Sequence, residues 1–209
     1  MNKLFWIVLT LIVGVGVFRF MPKSDAKYDQ PAYTVEKKDG AFEVRKYPPM
    51  ILAEVSVEGN REDAANQGFR ILFGYITGKN GTGEKLAMTI PVFQELIAFG
   101  VGTESPPVPT QWAFRFVMPA GKKLADLPMP QDDRIRLYEA PAMKVAVQSF
   151  KGRFSTKNLT AHKNELDAWV IAKGLVFEPN RHEIFAAYNG PFTLPSKRRN
   201  EVMFRLKSL

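Results

Sequence analysis

Aligning Gly59 with Gly152 brings Met50 onto Met143, Ala53 onto Ala146, Ser56 onto Ser149 and Pro48 onto Pro141. With a two-residue insertion, Arg45 and Tyr47 also meet Arg136 and Tyr138. The same succession of signals surrounds both glycines: two alternating apolar runs, a helical stretch, then two more alternating runs. A strand-strand-helix-strand-strand unit has one apolar sheet face and one apolar helix stripe to cover, and two such units cover each other. The pattern predicts an α+β chain: a distorted β-barrel or curled antiparallel sheet from a duplicated unit, with two packed helices. Chance agreement between two amphipathic strands is the competing reading.

Local signals give the elements. Residues 33–38 and 42–47 alternate on either side of Asp39-Gly40, a hairpin turn in which glycine accepts positive φ. Pro48 and Pro49 interrupt, and residues 50–57 alternate again. Asn60 is placed to cap a helix whose first turn carries Glu62 and Asp63. Phe69, Leu72, Phe73 and Ile76 then fall on one helical face, and Gly78 can end it. Residues 85–97 and 111–118 read as strands, and 118–131 as irregular. In the second half, 134–139 and 143–150 read as strands. Ser155 is placed to cap a helix running to Lys173, with Leu159, Leu166, Trp169 and Val170 on one side. Residues 184–188 and 201–206 close the chain as strands.

The chain lacks cysteine, which excludes disulfides, thiolate catalysis and cysteine-bound metal. Its net charge of +8 favours acidic partners such as anionic lipid, nucleic acid or a carboxylate-bearing ligand, without choosing among them. Residues 4–18, LFWIVLTLIVGVGVF, carry no charge and are flanked by Lys3 and Arg19. As a helix, residues 4–21 would span about 27 Å, near the thickness of a bilayer core. An uncleaved membrane anchor, a cleaved signal segment and a buried helix are the open readings. Residues 1–21 are thus the anchor or signal, 22–32 a linker and 33–209 the domain. An extracytoplasmic or periplasmic location is expected, with the orientation left open by positive charge on both flanks.

Catalytic patterns are sparse. The loop from Gly78 to Lys85 has the glycines of a phosphate loop, but Glu84 intervenes before the lysine and no helix follows. There is no G-x-S-x-G elbow. His162 and His182 are the only histidines, and neither sits in a set of converging ligands. Asn80 and Asn158 begin N-x-T glycosylation patterns. Lys197, Arg198 and Arg199 form a basic cluster before the last strand, a solvated turn or a holder of carboxylates or lipid phosphates.

Five segments occur in order: FEVRKYPP (42–49), GFRILFGYITGKN (68–80), KLAMTIPV (85–92), YNGPF (188–192) and RRNEV (198–202). Together the set resembles the SOUL/haem-binding-protein family. The resemblance implies haem or another tetrapyrrole bound in a shallow apolar cleft, built in animal members from the first helix and the loop around the Pro-Phe turn. The helix Arg proposed in that family to meet a propionate falls on Asn66, and two Lys positions fall on Gly74 and Thr193. The His proposed as an axial ligand in one branch falls on Lys46. Apolar helix positions survive as Phe69 and Phe73.

The ligand-binding expectation therefore rests on Asn66, Phe69, Arg70, Phe73, Phe192, Thr193, Lys197, Arg198 and Arg199. Arg70, Lys79 and Lys197 are the substitute cations, and no catalytic residue or metal ligand is expected. The expected partner is a small hydrophobic anion, with the membrane reached through the N-terminal segment and no nucleic acid. Two alternatives stand beside this. One is a small-molecule hydrolase or haem-processing enzyme, which needs a buried carboxylate facing a Tyr or Trp. The other is a protein-interaction module with a filled cleft.

Overall fold

The computed structural model describes residues 28–99, 109–179 and 183–207. The apolar run at 4–18, and with it the anchor reading, lies outside these residues, as does His182. Among the described residues no helix is long and apolar enough to cross a membrane.

Nine strands form one antiparallel sheet that curls into a half-barrel, and two helices pack on one of its faces. The elements are β1 (Thr34–Asp39), β2 (Phe42–Tyr47), β3 (Met50–Glu58), α1 (Arg61–Ile76), β4 (Val92–Phe99), β5 (Pro109–Val117), β6 (Arg136–Ala140), β7 (Met143–Phe150), α2 (Thr156–Ala172), β8 (Glu183–Ala187) and β9 (Asn200–Arg205). Their order across the sheet is β1-β2-β7-β9-β8-β4-β5-β3-β6. Exchanging β2, β3, β4 and β5 with β6, β7, β8 and β9 maps this order, β1 apart, onto itself. The register does not use the two-residue insertion, however. Tyr47 pairs with Met143 and Ala140 with Met50, so the exchange puts Tyr138, not Arg136, at the place of Arg45.

Strand alternation gives the sheet two apolar faces. Ala53, Val55, Val57, Trp112, Phe114, Phe116, Val202 and Phe204 join Leu72, Tyr75, Leu159, Leu166 and Trp169 in the core beneath the helices. Met50, Leu52, Phe93, Val145, Val147, Ile184 and Met203 form a separate cluster on the opposite face. Both helices start as their sequences dictate. The Asn60 side chain accepts from the Glu62 and Asp63 amides at 3.1 and 3.0 Å, and the Ser155 hydroxyl from the Asn158 amide at 3.4 Å. Gly68 brings α1 against the sheet, since a Cβ there would stand 2.5 Å from the Phe114 ring.

Three expectations change. The strand expected from residue 85 starts at Val92, because Pro91 has no N–H to give a neighbour. Residues 85–91 instead pack by single bonds, Leu86 N–H to the Ile76 carbonyl and the Thr89 hydroxyl to the Val117 carbonyl. Residues 28–32, read as linker, take part in the fold, with Asp29 in a parallel bridge to Thr89. The glycine-rich loop is organised by buried Asn80, whose amide donates to the Tyr75 and Glu84 carbonyls, so that side chain is not free for a glycan.

Trp169 anchors α2 to the first hairpin. Its ring stacks on Phe42 at 5.2 Å, and its Nε1–H donates to Asp39 at 3.0 Å. Trp169→Ala is expected to destabilise the fold by about 3–5 kcal/mol in denaturant titration, as truncation of a packed aromatic does. A loss below about 1 kcal/mol would remove α2 from the core.

Candidate functional site

The outer side of α1 carries what the sequence assigned to the ligand, but only part of it. Phe69 and Phe73 are 38 % and 44 % exposed, and their rings stack 5.5 Å apart. Phe69 also meets core Phe116 edge-on, which fixes the pair in place. Leu72 and Ile76, on the same predicted face, turn into the core instead. Asn66 and Arg70 lie exposed beside the Phe pair, Arg70 donating to the Asn66 carbonyl at 3.3 Å. A groove of about 330 Å³ runs along the helix, lined by Gln67, Arg70, Tyr75, Lys79, Asp132 and Arg134 among others. Gly74 leaves room for the Lys79 stem to lie across the helix. Asp132 is paired with Arg134 at 2.6 Å, whereas no carboxylate pairs with Arg70 or Lys79 among the described residues.

The remaining expected residues lie elsewhere. Phe192 stands almost wholly exposed on the β8–β9 loop. Arg198 braces that loop from within, donating to the Thr193 and Pro191 carbonyls at 2.8 and 2.6 Å. Lys197 sits in a short 3₁₀ turn, and the Pro195 carbonyl accepts from Gly152 N–H, tying the loop to the approach to α2. None of the loop's hydrogen bonds among the described residues reaches α1. Arg199, the last residue before β9, turns its guanidinium to the helix-free face.

There the sheet buries a carboxylate that the sequence reading did not single out. Glu201 is fully buried and accepts from Arg45 Nη1 and Nη2 at 3.0 and 3.1 Å. It also accepts from Arg199 Nη2 at 2.7 Å, the Tyr188 hydroxyl at 2.7 Å and the Ser149 hydroxyl at 2.9 Å. Arg45 in turn donates to Glu43 and lies 4.3 Å over the Tyr33 ring. Burial alone would push the Glu201 carboxyl up, but Arg45 and Arg199, with hydrogen bonds from Arg45 and Tyr188, hold it down at about 2. A signal was present, since charges alternate with apolar residues inside FEVRKY and RRNEV.

A second charged cluster lies on the same face. Arg115 bridges Glu54 and Glu95, Arg205 meets Glu95 at 2.6 Å, and Arg136 meets Glu54 at 2.9 Å. The Tyr138 hydroxyl donates to Glu54 at 2.9 Å. This is the buried carboxylate facing a Tyr that an enzyme would need. Its electrostatics oppose that role: burial pushes Glu54 up, but Arg115 and the neighbouring donors outweigh it and hold the carboxyl below its ordinary value. A lowered carboxyl wrapped by donors is a poor base.

No metal-binding group of three or more His, Cys, Asp or Glu exists among the described residues. His162 stacks on Phe150 at 4.1 Å, and its Nδ1 lies 3.1 Å from both Gln148 and Glu165. Lys46 is exposed and paired with Glu36 at 3.0 Å.

A fold of this order, with these five segments in these places, defines a family. The profile of the SOUL heme-binding protein family matches residues 28–205, and the chain belongs to that family. It is similar to human Heme-binding protein 2, 33% identical over 169 residues covering 78% of this chain and 77% of the relative. The mouse protein of the same name is 30% identical over 176 residues, covering 80% and 79%. Among solved structures, the EcmrR C-terminal domain has a TM-score of 0.59 at 13% identity, covering 80% of this chain and 98% of that domain. A Listeria innocua protein described as a hydrolase has a TM-score of 0.56 at 13% identity, covering 79% and 91%. These two likenesses show the fold alone.

The Glu201 cluster generates an acid limb of known sign. A carboxyl depressed in the folded state stabilises the fold fully above its unfolded value near 4.3, and that contribution is lost as pH falls toward about 2. Unfolding free energy is therefore expected to be level above about pH 5 and to fall between about pH 4.5 and 2. Glu201→Gln should cost about 3–5 kcal/mol at pH 7, since it leaves buried Arg45 and half-buried Arg199 short of a counter-charge, and should flatten that limb. A variant within 1 kcal/mol of the parent would show that the cluster does not hold the sheet.

Proposed function

We propose that this domain binds haem or a related tetrapyrrole non-catalytically against the outer side of α1, at a membrane surface. The observation that carries the reading is the stacked, half-exposed Phe69–Phe73 pair beside Arg70 and Lys79, two cations with no carboxylate partner among the described residues. A flat macrocycle covers an aromatic pair of this kind, and its propionates fit the cationic groove. The names of the human and mouse relatives support the same ligand class. Asn66 stands at the edge of the pair, and Phe192 and Thr193, on the separate loop, are outer contacts if that loop closes over the ligand. Arg198 and Arg199 hold structure in this reading, and Lys197 is exposed with no carboxylate partner among the described residues.

The side chains present fit the macrocycle and the propionates better than they fit iron. His162 is held by Phe150, Gln148 and Glu165, and Lys46 is salt-bridged and exposed. A lysine ammonium held in a salt bridge donates three hydrogens and offers iron no lone pair. Bound haem would supply a flat apolar dianion with an iron centre. The chain's own part is to cover one ring face and neutralise the carboxylates. The membrane location rests on the uncharged run at 4–18, which would hold the domain beside the bilayer.

Haemin and metal-free protoporphyrin are expected to bind with similar, roughly micromolar, dissociation constants, as suits a partly open site. Phe73→Asp should weaken both by at least about tenfold, a 1.4 kcal/mol effect. Arg70→Gln with Lys79→Gln should weaken both, more at low salt than at high salt. A six-coordinate haem spectrum that vanishes in His162→Ala would overturn this reading.

A further inference from the structure

We propose that the helix-free face holds a second small-molecule site, selective for a monocarboxylate carried on a flat aromatic body. It is independent of the α1 surface. A cavity of about 550 Å³ opens there between β3, β4, β5, β6, β8, β9 and the start of β7. That volume lies in the range of small-ligand pockets. Met50, Leu52, Phe93, Met143 and Ile184 supply apolar walls, and the polar groups lining it are Arg115, Tyr138, Arg205 and Glu178.

The arginines at the wall keep donors for an anion. Arg115 bridges Glu54 and Glu95 and Arg205 meets Glu95, while exposed Arg136, paired with Glu54, stands outside the cavity. Glu178 is half-buried at the cavity wall and pairs with none of the three arginines. The bonds of Arg115 use Nε and Nη1, and those of Arg205 use Nη1 and Nη2. Arg115 Nη2 and Arg205 Nε therefore keep N–H groups without a partner among the described residues. A ligand carboxylate would take these donors in charge-assisted hydrogen bonds.

The other half of the sheet shows what kind of body fits. Tyr33, from the arm before β1, lays its ring 5.2 Å from Tyr47 and beneath the Arg45 guanidinium. Exchange of the halves takes Arg45 to Tyr138 and Tyr47 to Ala140, and both of these line the cavity. The segment before β6 cannot supply a matching ring, because it is held on the helix side. There Pro128 accepts from the Tyr75 hydroxyl, Pro130 bridges Asn80, and Gln131 donates to the Asn80 carbonyl. The chain fills one half with its own phenol ring and leaves the mate open, with guanidinium groups beside it.

The test uses the full-length protein and three probes of one shape: 2-naphthoate, 2-naphthalenemethanol and 2-naphthylmethylammonium. Calorimetric titration should give one site that binds the acid at least about tenfold more tightly than the alcohol or the cation. Ala140→Trp should abolish binding by filling the cavity, with Ala142→Trp at its mouth as the substitute if that variant does not fold. Arg205→Gln should narrow the preference for the acid over the alcohol, and Phe73→Asp should change nothing. The proposal is overturned if no probe binds, if the alcohol or the cation binds as well as the acid, if binding survives the filled cavity, or if Phe73→Asp removes it.

Discussion

A carboxylate with no exposure to water sits in the middle of this sheet, and its two guanidinium partners come from opposite ends of the sequence. Glu201 and Arg199 flank the start of β9, while Arg45 lies on β2, with β7 between them. Desolvating an ionised carboxylate costs several kcal/mol, and that cost is offset only when its lone pairs are filled with good geometry. Here Arg45, Arg199, Tyr188 and Ser149 fill them together. The arrangement tolerates one register of β2, β7 and β9, because a one-residue slip would send each of these side chains to the opposite face. The β8–β9 loop and the arm at Gln30, which accepts from Arg199, are placed by the same cluster.

This constraint separates the two faces of the sheet. Beneath the helices the core is apolar, and α1 is pressed so close at Gly68 that its bulky residues must point inward or away. Leu72, Tyr75 and Ile76 point in, and Phe69 and Phe73 remain outside with Arg70 and Lys79 near them. The helix-free face instead combines ion pairs with an apolar cluster, and its two halves differ in whether the chain covers them. A ligand surface on α1 is thus compatible with a sheet whose central charges, those around Glu201, are spent on its own register.

Much of this was legible in the residues. The caps at Asn60 and Ser155, the buried side of α2 and the Asp39-Gly40 turn follow from local chemistry, and the structure carries each as read. Two of the five family segments, FEVRKYPP and RRNEV, led toward the family and then away from the site. Their Arg45, Arg199 and Glu201 meet across the sheet, a long-range pairing that periodicity cannot display. Phe69, Leu72, Phe73 and Ile76 share one wide helical stripe, and only the contact at Gly68 decides which edge of it is core. Pro91 delayed a strand that its apolar neighbours advertised. Tyr138 exchanged places with Arg136 in the paired halves because strand register, unlike residue similarity, leaves no room for the insertion.

The central claim is that α1 presents the tetrapyrrole surface while the Glu201 cluster only holds the sheet together. Amide chemical-shift mapping of the labelled full-length protein during titration with metal-free protoporphyrin tests it directly. The account predicts shifts concentrated at residues 66–79 and 132–135, with residues 43–47 and 199–203 unmoved. Shifts centred on residues 43–47 and 199–203, with α1 silent, would contradict it.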